Sequence, residues 1–142
     1  MMNQIEKRVI EFIAEHHIFT LATSKNNLPY ACTCFYTYLP EENLFVFTSD
    51  KTTKHIADIE QQSMVAGAIA LETSIIGKIR GIQFTGTIRE LEGKELSIAH
   101  KAYIKQFPIA MLAKTTLWGI VPNFIKMTDN RLGFGKKIIW QN

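Results

Sequence analysis

The pattern of apolar positions changes along the chain from a helical period to strand-like alternation. Ile5, Val9, Phe12 and Ile13 fall at i, i+4, i+7 and i+8, which predicts a helix with one apolar face, capped by Asn3 and ending near residue 17. Beyond it, short runs rich in β-branched and aromatic residues are typical of strands. They predict strands over residues 18–23, 30–39, 44–48, 63–71, 80–91, 115–121 and 124–128 and in the C-terminal tail, with helices over 55–62 and 94–107.

The connections between the predicted strands are mostly of hairpin length. Residues 24–27 and 40–43 have turn composition, residues 72–78 form a loop, and few segments are suited to strand–helix–strand crossovers. In the long strand over 80–91, Ile82 and Phe84 alternate with Gln83, and Gly86 predicts a bulge. We therefore predict a mainly β fold with peripheral helices, a small antiparallel barrel that forms a single domain over residues 1–142.

Composition narrows the classes of protein that this chain can represent. With 46% hydrophobic and 20% charged residues in 142 positions, the chain should fold around a core of its own. The net charge of +3 comes from scattered Lys and Arg residues and does not indicate a nucleic-acid partner. No apolar run approaches the roughly 20 residues of a membrane helix, and acidic residues interrupt the N-terminal apolar region, which is unlike a signal peptide. These features predict a soluble, cytoplasmic protein without membrane contact.

The segment FVFTSDKTTKHIADI, residues 45–59, places anion-binding groups where a strand ends and a helix begins. If Thr48 ends the strand and the helix starts near Thr52 or Thr53, the first free N–H groups of the helix lie beside those hydroxyls and beside Lys51 and Lys54. Such a set can hold a phosphate monoester without a Gly-rich loop. The alternative is that Thr52 or Thr53 only caps the helix and the lysines are solvated.

The two cysteines of the chain, Cys32 and Cys34, lie at i and i+2 in a predicted strand and so share one face. A disulfide this close in sequence would strain the strand. A metal site would need two further ligands, and no second pair with zinc-like spacing is present. We predict reduced thiols packed on the strand, and no metal site.

Two longer blocks resemble a known superfamily. LFVFT with its downstream lysine, followed later by RGIQFTGTIR, resembles the flavin mononucleotide (FMN) proteins of the pyridoxamine 5′-phosphate oxidase-like superfamily. In its phosphate motif, Thr48, Thr52 and Lys54 match, whereas Thr53 stands where the family has Arg. RGIQFTGTIRELEG, KAYIKQFP and DNRLGFGKKIIW together look more specifically like the uncharacterised bacterial YhbP family within this fold.

The resemblance implies an antiparallel six-stranded split β-barrel that forms a homodimer, with FMN in a groove between the protomers. Arg80 and Gly86 match the second block of the superfamily, but the family's glutamine is displaced here to Gln83. Side chains of the second predicted strand would border the flavin ring, so Cys32 and Thr33 become candidate contacts.

The same resemblance implies a different substrate from that of the true oxidases. Those enzymes hold the substrate phosphate with Tyr, Arg and Ser. Here Tyr103 matches the Tyr, Phe107 replaces the Arg, and Met111 stands near the Ser position. The prediction is an FMN-dependent small-molecule oxidoreductase of unknown substrate, not a pyridoxamine phosphate oxidase. Two alternatives remain: a non-catalytic flavin or haem carrier, and a barrel that has lost its cofactor.

Overall fold

The computed structural model describes residues 4–142, so the expected cap at Asn3 lies outside the described residues. Three α-helices and seven strands follow one another with short connections. Their bounds are α1 Lys7–Glu15, β1 Ile18–Lys25, β2 Leu28–Leu39, β3 Leu44–Ser49, α2 Lys54–Gln61, β4 Met64–Ala70, β5 Arg80–Glu90, α3 Gly93–Gln106, β6 Thr116–Asp129 and β7 Lys137–Gln141. Single 3₁₀ turns occupy Ile76–Lys78, Pro108–Leu112 and Asn130–Leu132. The predicted order of helices and strands is confirmed.

Six strands close into a ring. Their order is β3-β2-β1-β4-β5-β6, and a further pairing of β3 with β6 joins the two ends. Every pairing is antiparallel, and β7 is added outside the ring along β6. The predicted mainly β, antiparallel six-stranded fold with peripheral helices is confirmed, with a seventh strand in addition.

Aromatic side chains fill the inside of the ring. Phe19, Phe45 and Phe84 are almost fully buried, and the rings of Phe45 and Phe84 stack at 4.5 Å between centroids. Helix α1 contributes Phe12 and Ile13 to this core, as expected from the apolar face predicted for the helix. Burial of such side chains contributes about 1.5–3 kcal/mol each, so the interior of the ring supplies most of the driving force for folding.

A second, smaller core lies under α3 on the outside of the ring. Ala99 and Tyr103 of α3 pack against Leu44, Val46 and Leu117 of β3 and β6. Alternate residues of β3 therefore face two cores, which explains why the strand is apolar almost throughout.

One boundary prediction is wrong. The two strands predicted over 115–121 and 124–128 are a single strand, β6, which continues through Pro122. The register with β5 shifts between Thr85 and Gly86, where Gly86 pairs with Pro122 and Asn123 is the extra residue. A proline is tolerated in a paired strand at such a bulge, because one ladder hydrogen bond is already missing there. The bulge predicted at Gly86 is confirmed, and a Cβ there would lie 2.5 Å from the carbonyl oxygen of Val121.

Within residues 4–142, no helix combines the length and the apolar character that spanning a membrane would require.

Candidate functional site

The connection from β3 to α2 is built around Asp50. Its carboxylate accepts hydrogen bonds from the backbone N–H and from the hydroxyl of Thr52, both at 2.9 Å. These bonds hold the pKa of Asp50 below its usual value. Thr53 is the residue before the helix, but its hydroxyl donates to the backbone carbonyl of Asp50 at 2.8 Å instead of capping a first-turn amide. The predicted phosphate donors Thr52 and Thr53 are thus brought together, with an acidic side chain between them.

Lys54, in the first turn of α2, bonds a buried carboxylate. Its ammonium lies 3.1 and 3.2 Å from the two oxygens of Asp58 and 4.7 Å from the ring centroid of Tyr30. Asp58 also accepts from the hydroxyl of Thr23 on β1 at 3.0 Å. Burial by itself would raise the pKa of Asp58, but the bonds from Lys54 and Thr23 outweigh it and the pKa lies below its usual value. Since the Lys54 side chain is 57% exposed, it can reach solvent and any ligand there.

Lys51 has a different partner from Lys54. Its ammonium lies 2.7 Å from the carboxylate of Glu90 on β5, which raises the pKa of Lys51. Lys51 and Glu90 line a cavity of about 420 Å³ beside α3, and His100 also lines it. The sequence grouped Lys51 with Lys54 because they are close in the chain, but their ammonium groups bind carboxylates on different elements.

Thr48 faces α3. Its hydroxyl lies 3.3 Å from the hydroxyl of Tyr103, and both side chains border the outer core. The Thr48–Tyr103 contact therefore links the end of β3 to α3, two positions before Asp50.

Gln83 lies in a groove on the outer face of the ring. Directly paired residues share one face of a sheet, and one such row across β2, β1, β4 and β5 is formed by Thr33, Thr20, Ala68 and Gln83. The next row consists of Ala31, Ala22, Ala66, Thr85 and Phe124. Small side chains in the middle of both rows leave a largely apolar groove of about 380 Å³.

The groove is connected to the start of α2 through β1. Ala22 lines the groove, and its neighbour Thr23 points inward and bonds Asp58, which in turn holds Lys54. Thr33 belongs to the same outer face as the groove and is exposed. The structure therefore brings Gln83 and Thr33 to one face of the sheet, whereas Lys54 is held through Asp58 by Thr23, which points to the opposite face of β1.

Cys32 lies on the other face of β2 from Thr33. Cys32 and Cys34 pack against the interior core, and their sulfur atoms are 3.9 Å apart. This contact lowers the pKa of Cys32 and raises that of Cys34 above the usual value, with burial adding to the rise. The thiols are free, as predicted. Placing Cys32 and Thr33 in one site conflicts with the strand itself, because adjacent strand residues point to opposite faces.

His55 is the neighbour of the cysteines that sequence reasoning missed. One of its ring nitrogens and the two sulfur atoms all lie within 4.8 Å of one another. Its Nε2 lies 2.5 Å from the hydroxyl of Ser49, and burial lowers the pKa of the imidazole although the charge of Asp58 opposes this. The sequence has no second pair of ligands with zinc-like spacing, but the fold places one further potential ligand, His55, beside the two cysteines. Spacing along the chain does not reveal a single histidine that comes from another element.

Relatives of known sequence and solved structures with the same fold agree on what this chain is similar to. No protein-family model matches it. A UPF0306 protein of Photorhabdus laumondii is 39% identical over 130 residues, which is 92% of this chain and 91% of the relative. The UPF0306 protein YhbP of Escherichia coli O157:H7 is 36% identical over 132 residues, 93% of this chain and 90% of YhbP.

Among solved structures, a heme-binding protein from Mycobacterium smegmatis superposes with a TM-score of 0.77 at 18% identity. The match covers 90% of this chain but only 54% of that protein, so this chain spans about half its length. An FAD-binding protein from Mesorhizobium loti superposes with a TM-score of 0.71 at 12% identity, and the match covers 87% of this chain and 94% of that protein. A Listeria innocua protein provisionally assigned as a pyridoxamine 5′-phosphate oxidase superposes with a TM-score of 0.69 at 13% identity, and the match covers 84% of this chain and 94% of that protein. The chain belongs to the UPF0306 family, which includes YhbP, and has the split-barrel fold of pyridoxamine 5′-phosphate oxidase-like proteins.

Proposed function

We propose that this chain binds FMN and acts in the cytoplasm as a small-molecule oxidoreductase other than a pyridoxamine phosphate oxidase. The observation that supports this most directly is the apolar outer groove on β1, β4 and β5, where the groove residue Ala22 is followed by Thr23, which bonds Asp58, the partner of Lys54. A cofactor site of this kind combines an apolar cavity with a few polar groups that fix orientation. The FAD-binding protein of the same fold lends support to a flavin.

The groove suits a flat aromatic ring system. Ala22, Ala66 and Ala68 leave space above the sheet, and the exposed amide of Gln83 and the hydroxyl of Thr85 offer hydrogen bonds at its border. FMN, when bound, supplies the redox chemistry through its isoalloxazine ring, and the protein supplies binding and orientation. The residues that we assign to the ring are Gln83 and Thr33, on the outer face. Cys32 lies on the inner face, and we leave it out of the ring contacts.

The phosphate end fits after an exchange of partners. Lys54, Thr52 and the first amides of α2 can donate to a phosphate, but Asp58 and Asp50 now accept from the two side chains. The ammonium of Lys54 has three N–H donors and the side chain is 57% exposed, so it can bind a phosphate and keep a bond to the buried Asp58, while the exposed hydroxyl of Thr52 can rotate from Asp50 to the phosphate. Thr53 and Lys51 add hydroxyl and charge nearby. The negative charge of Asp50 lies among these donors and opposes the binding of an anion.

A second copy of the chain would complete this site. Ile18 and Phe35 form a cross-strand pair on the outer face and are 49% and 56% exposed. Their exposure continues the apolar surface of the groove towards α3, and covering it by a twofold partner would remove apolar area from water. We therefore assign a homodimer with FMN between the protomers. Light scattering should give twice the chain mass at micromolar concentration, and Phe35→Glu should give the mass of one chain and weaken FMN.

The substrate side argues against pyridoxamine 5′-phosphate. The Tyr103 side chain is buried and its hydroxyl contacts Thr48, so it does not project to a ligand. Phe107 packs its ring 5.0 Å from Tyr103 and 5.5 Å from Phe35. An aromatic ring held in this way cannot replace the bidentate phosphate contact of an arginine.

The absorption spectrum of the pure protein, before and after titration with FMN, tests the proposal. Flavin bands with one FMN per chain support it. Haem bands in the protein as isolated would favour the haem carrier, the function named for the Mycobacterium smegmatis neighbour. Saturation with neither FMN nor haem would refute cofactor binding and leave a barrel that serves as a binding or structural module.

A further inference from the structure

The cluster of Cys32, Cys34 and His55 lies at the α2 end of the ring interior and has no role in the proposed flavin site. The two cysteines come from alternate positions of β2, and the histidine from the first turn of α2. All three side chains are partly buried, so a small ion can reach them from solvent. Nothing in the local sequence pairs them, because the packing of α2 against the ring brings them together.

The spacing of the sulfur atoms matches that of ligands on one tetrahedral ion. Two thiolates at ~2.3 Å from a tetrahedral Zn²⁺ lie ~3.8 Å apart, and the observed Sγ–Sγ distance is 3.9 Å. With a Zn–N bond of ~2.0 Å, a ligating imidazole nitrogen lies ~3.5 Å from each sulfur. The observed limit of 4.8 Å means that the imidazole nitrogen is at most about 1.3 Å farther from each sulfur than in a zinc site, a difference that a side-chain adjustment in a partly exposed first turn can supply.

The donor atoms select the kind of ion. Two thiolates and an imidazole suit Zn²⁺, whereas Mg²⁺, Ca²⁺ and Mn²⁺ prefer carboxylates, carbonyls and water. Ser49 and Thr53 surround His55, with their hydroxyl oxygens 2.5 and 3.4 Å from Nε2. Hydroxyls in this position orient a ligating histidine or occupy a neighbouring coordination position. Three protein ligands leave the fourth position of a tetrahedral ion for water or substrate.

We propose that Cys32, Cys34 and His55 bind one Zn²⁺ per chain, with the fourth coordination position open. The site stands independently of the proposed function, because it uses the inner face of β2 and the flavin groove uses the outer face. Binding would fasten α2 to β2 and so stabilise the folded chain in proportion to the free ion concentration.

The test is a zinc titration of the full chain, freed of metal by a chelator and kept reduced with a phosphine. Competition against a chromophoric chelator should give one Zn²⁺ per chain, and Co²⁺ should produce the charge-transfer absorption of thiolate ligands. Cys34→Ser and His55→Gln should each weaken binding by about 100-fold or more, beyond the 10- to 100-fold loss that outer-shell changes cause. Zn²⁺ should also raise the melting temperature of the unmodified protein and leave that of Cys34→Ser unchanged.

His100→Gln is the matched control, since His100 is exposed on α3 and lines a different cavity. It should bind zinc like the unmodified protein. His55→Cys retains a donor atom and should keep the charge-transfer absorption even where His55→Gln is poorly folded. Less than one Zn²⁺ per chain in the unmodified protein, or equal affinity in His55→Gln, would overturn the proposal. FMN binding is measured in separate titrations, so a failure of zinc binding can be distinguished from a failure of flavin binding.

Discussion

Replacing Lys54 by alanine should weaken FMN and leave riboflavin almost unaffected. Both ligands carry the isoalloxazine ring, but only FMN carries the phosphate that Lys54 is proposed to bind. The comparison therefore isolates the phosphate contact from every effect that the substitution has on the groove.

The structure sets the size of the effect. A hydrogen bond to a charged group contributes about 1.5–3 kcal/mol. In the free protein Lys54 already pairs with the buried carboxylate of Asp58 at i+4, but its ammonium has three N–H donors and can keep that bond while it donates to the phosphate. Loss of the phosphate contact should therefore cost about 1.5–3 kcal/mol, which is roughly a 10- to 150-fold loss of FMN affinity.

The assay is quenching of flavin fluorescence in parallel titrations with FMN and riboflavin. Asp58 is buried, so Lys54→Ala removes the cation beside a carboxylate whose exposure is only 2% and is expected to lower stability. The double variant Lys54→Met/Asp58→Asn removes both charges and should weaken FMN while leaving riboflavin almost unaffected, without that loss of stability. Lys101→Ala, which removes an exposed charge on α3, controls for net charge.

An equal loss for FMN and riboflavin in both Lys54 variants would refute the phosphate assignment. A loss of the same size in Lys101→Ala would show that net charge, and not contact, is responsible. Conversely, Asp50→Asn should tighten FMN and leave riboflavin unchanged, because it removes the negative charge that lies among the donors.

Three further predictions concern the scaffold and the substrate. Asp129 is buried, and the hydrogen bonds from Arg131 hold the pKa of its carboxyl below the usual value. The ionised carboxylate therefore stabilises the folded chain above about pH 4, and this contribution is lost as the pH falls through the lower pKa of the folded state. The melting temperature of Asp129→Asn should therefore lie well below that of the unmodified protein at pH 7, with a difference that shrinks in acid. Gly67→Ala should cost about 1–3 kcal/mol in urea unfolding because its Cβ would overlap the ring of Phe84, whereas Gly77→Ala, with open space around it, should not. The flavin-loaded protein should show only background oxygen consumption with pyridoxamine 5′-phosphate, and robust turnover would restore vitamin oxidation as the function.

The strands could be predicted from sequence because their information is local. Alternation and turn composition suffice to place β1 to β5 within a few residues, since each strand is bounded by its own turn. The closure of the ring depends on β3 meeting β6, and their paired residues Phe47 and Trp118 are 71 positions apart. No local pattern specifies such a contact: the hairpin-length turns favoured a small antiparallel barrel, but its six-stranded split form was predicted only from the resemblance.

The residue types of the candidate site could be predicted from sequence, but the groups to which these residues are hydrogen-bonded could not. The hydroxyls and lysines of residues 51–54 predict an anion site, yet Asp50, Asp58 and Glu90 accept from most of them. Asp50 and Asp58 stand in the same quoted segment, so their negative charge could have been weighed. The negative charge of Glu90 could not, because it reaches Lys51 only through β6, which pairs with β5 on one side and with β3 on the other.

The opposite placement of Cys32 and Thr33 follows from strand geometry alone, and it changes the chemistry available to the protein. A strand with a ligand groove outside and a thiol pair inside can present two sites without either crowding the other. The backbone of β2 separates them, and the first turn of α2 carries both Lys54, the proposed phosphate ligand, and His55, which lies beside the thiols. Adjacent residues of α2 point about 100° apart, so one short helix can serve both sides. Any coupling between flavin and zinc would therefore pass through α2, and the Asp58–Thr23 bond that fastens α2 to β1 is the contact to change first.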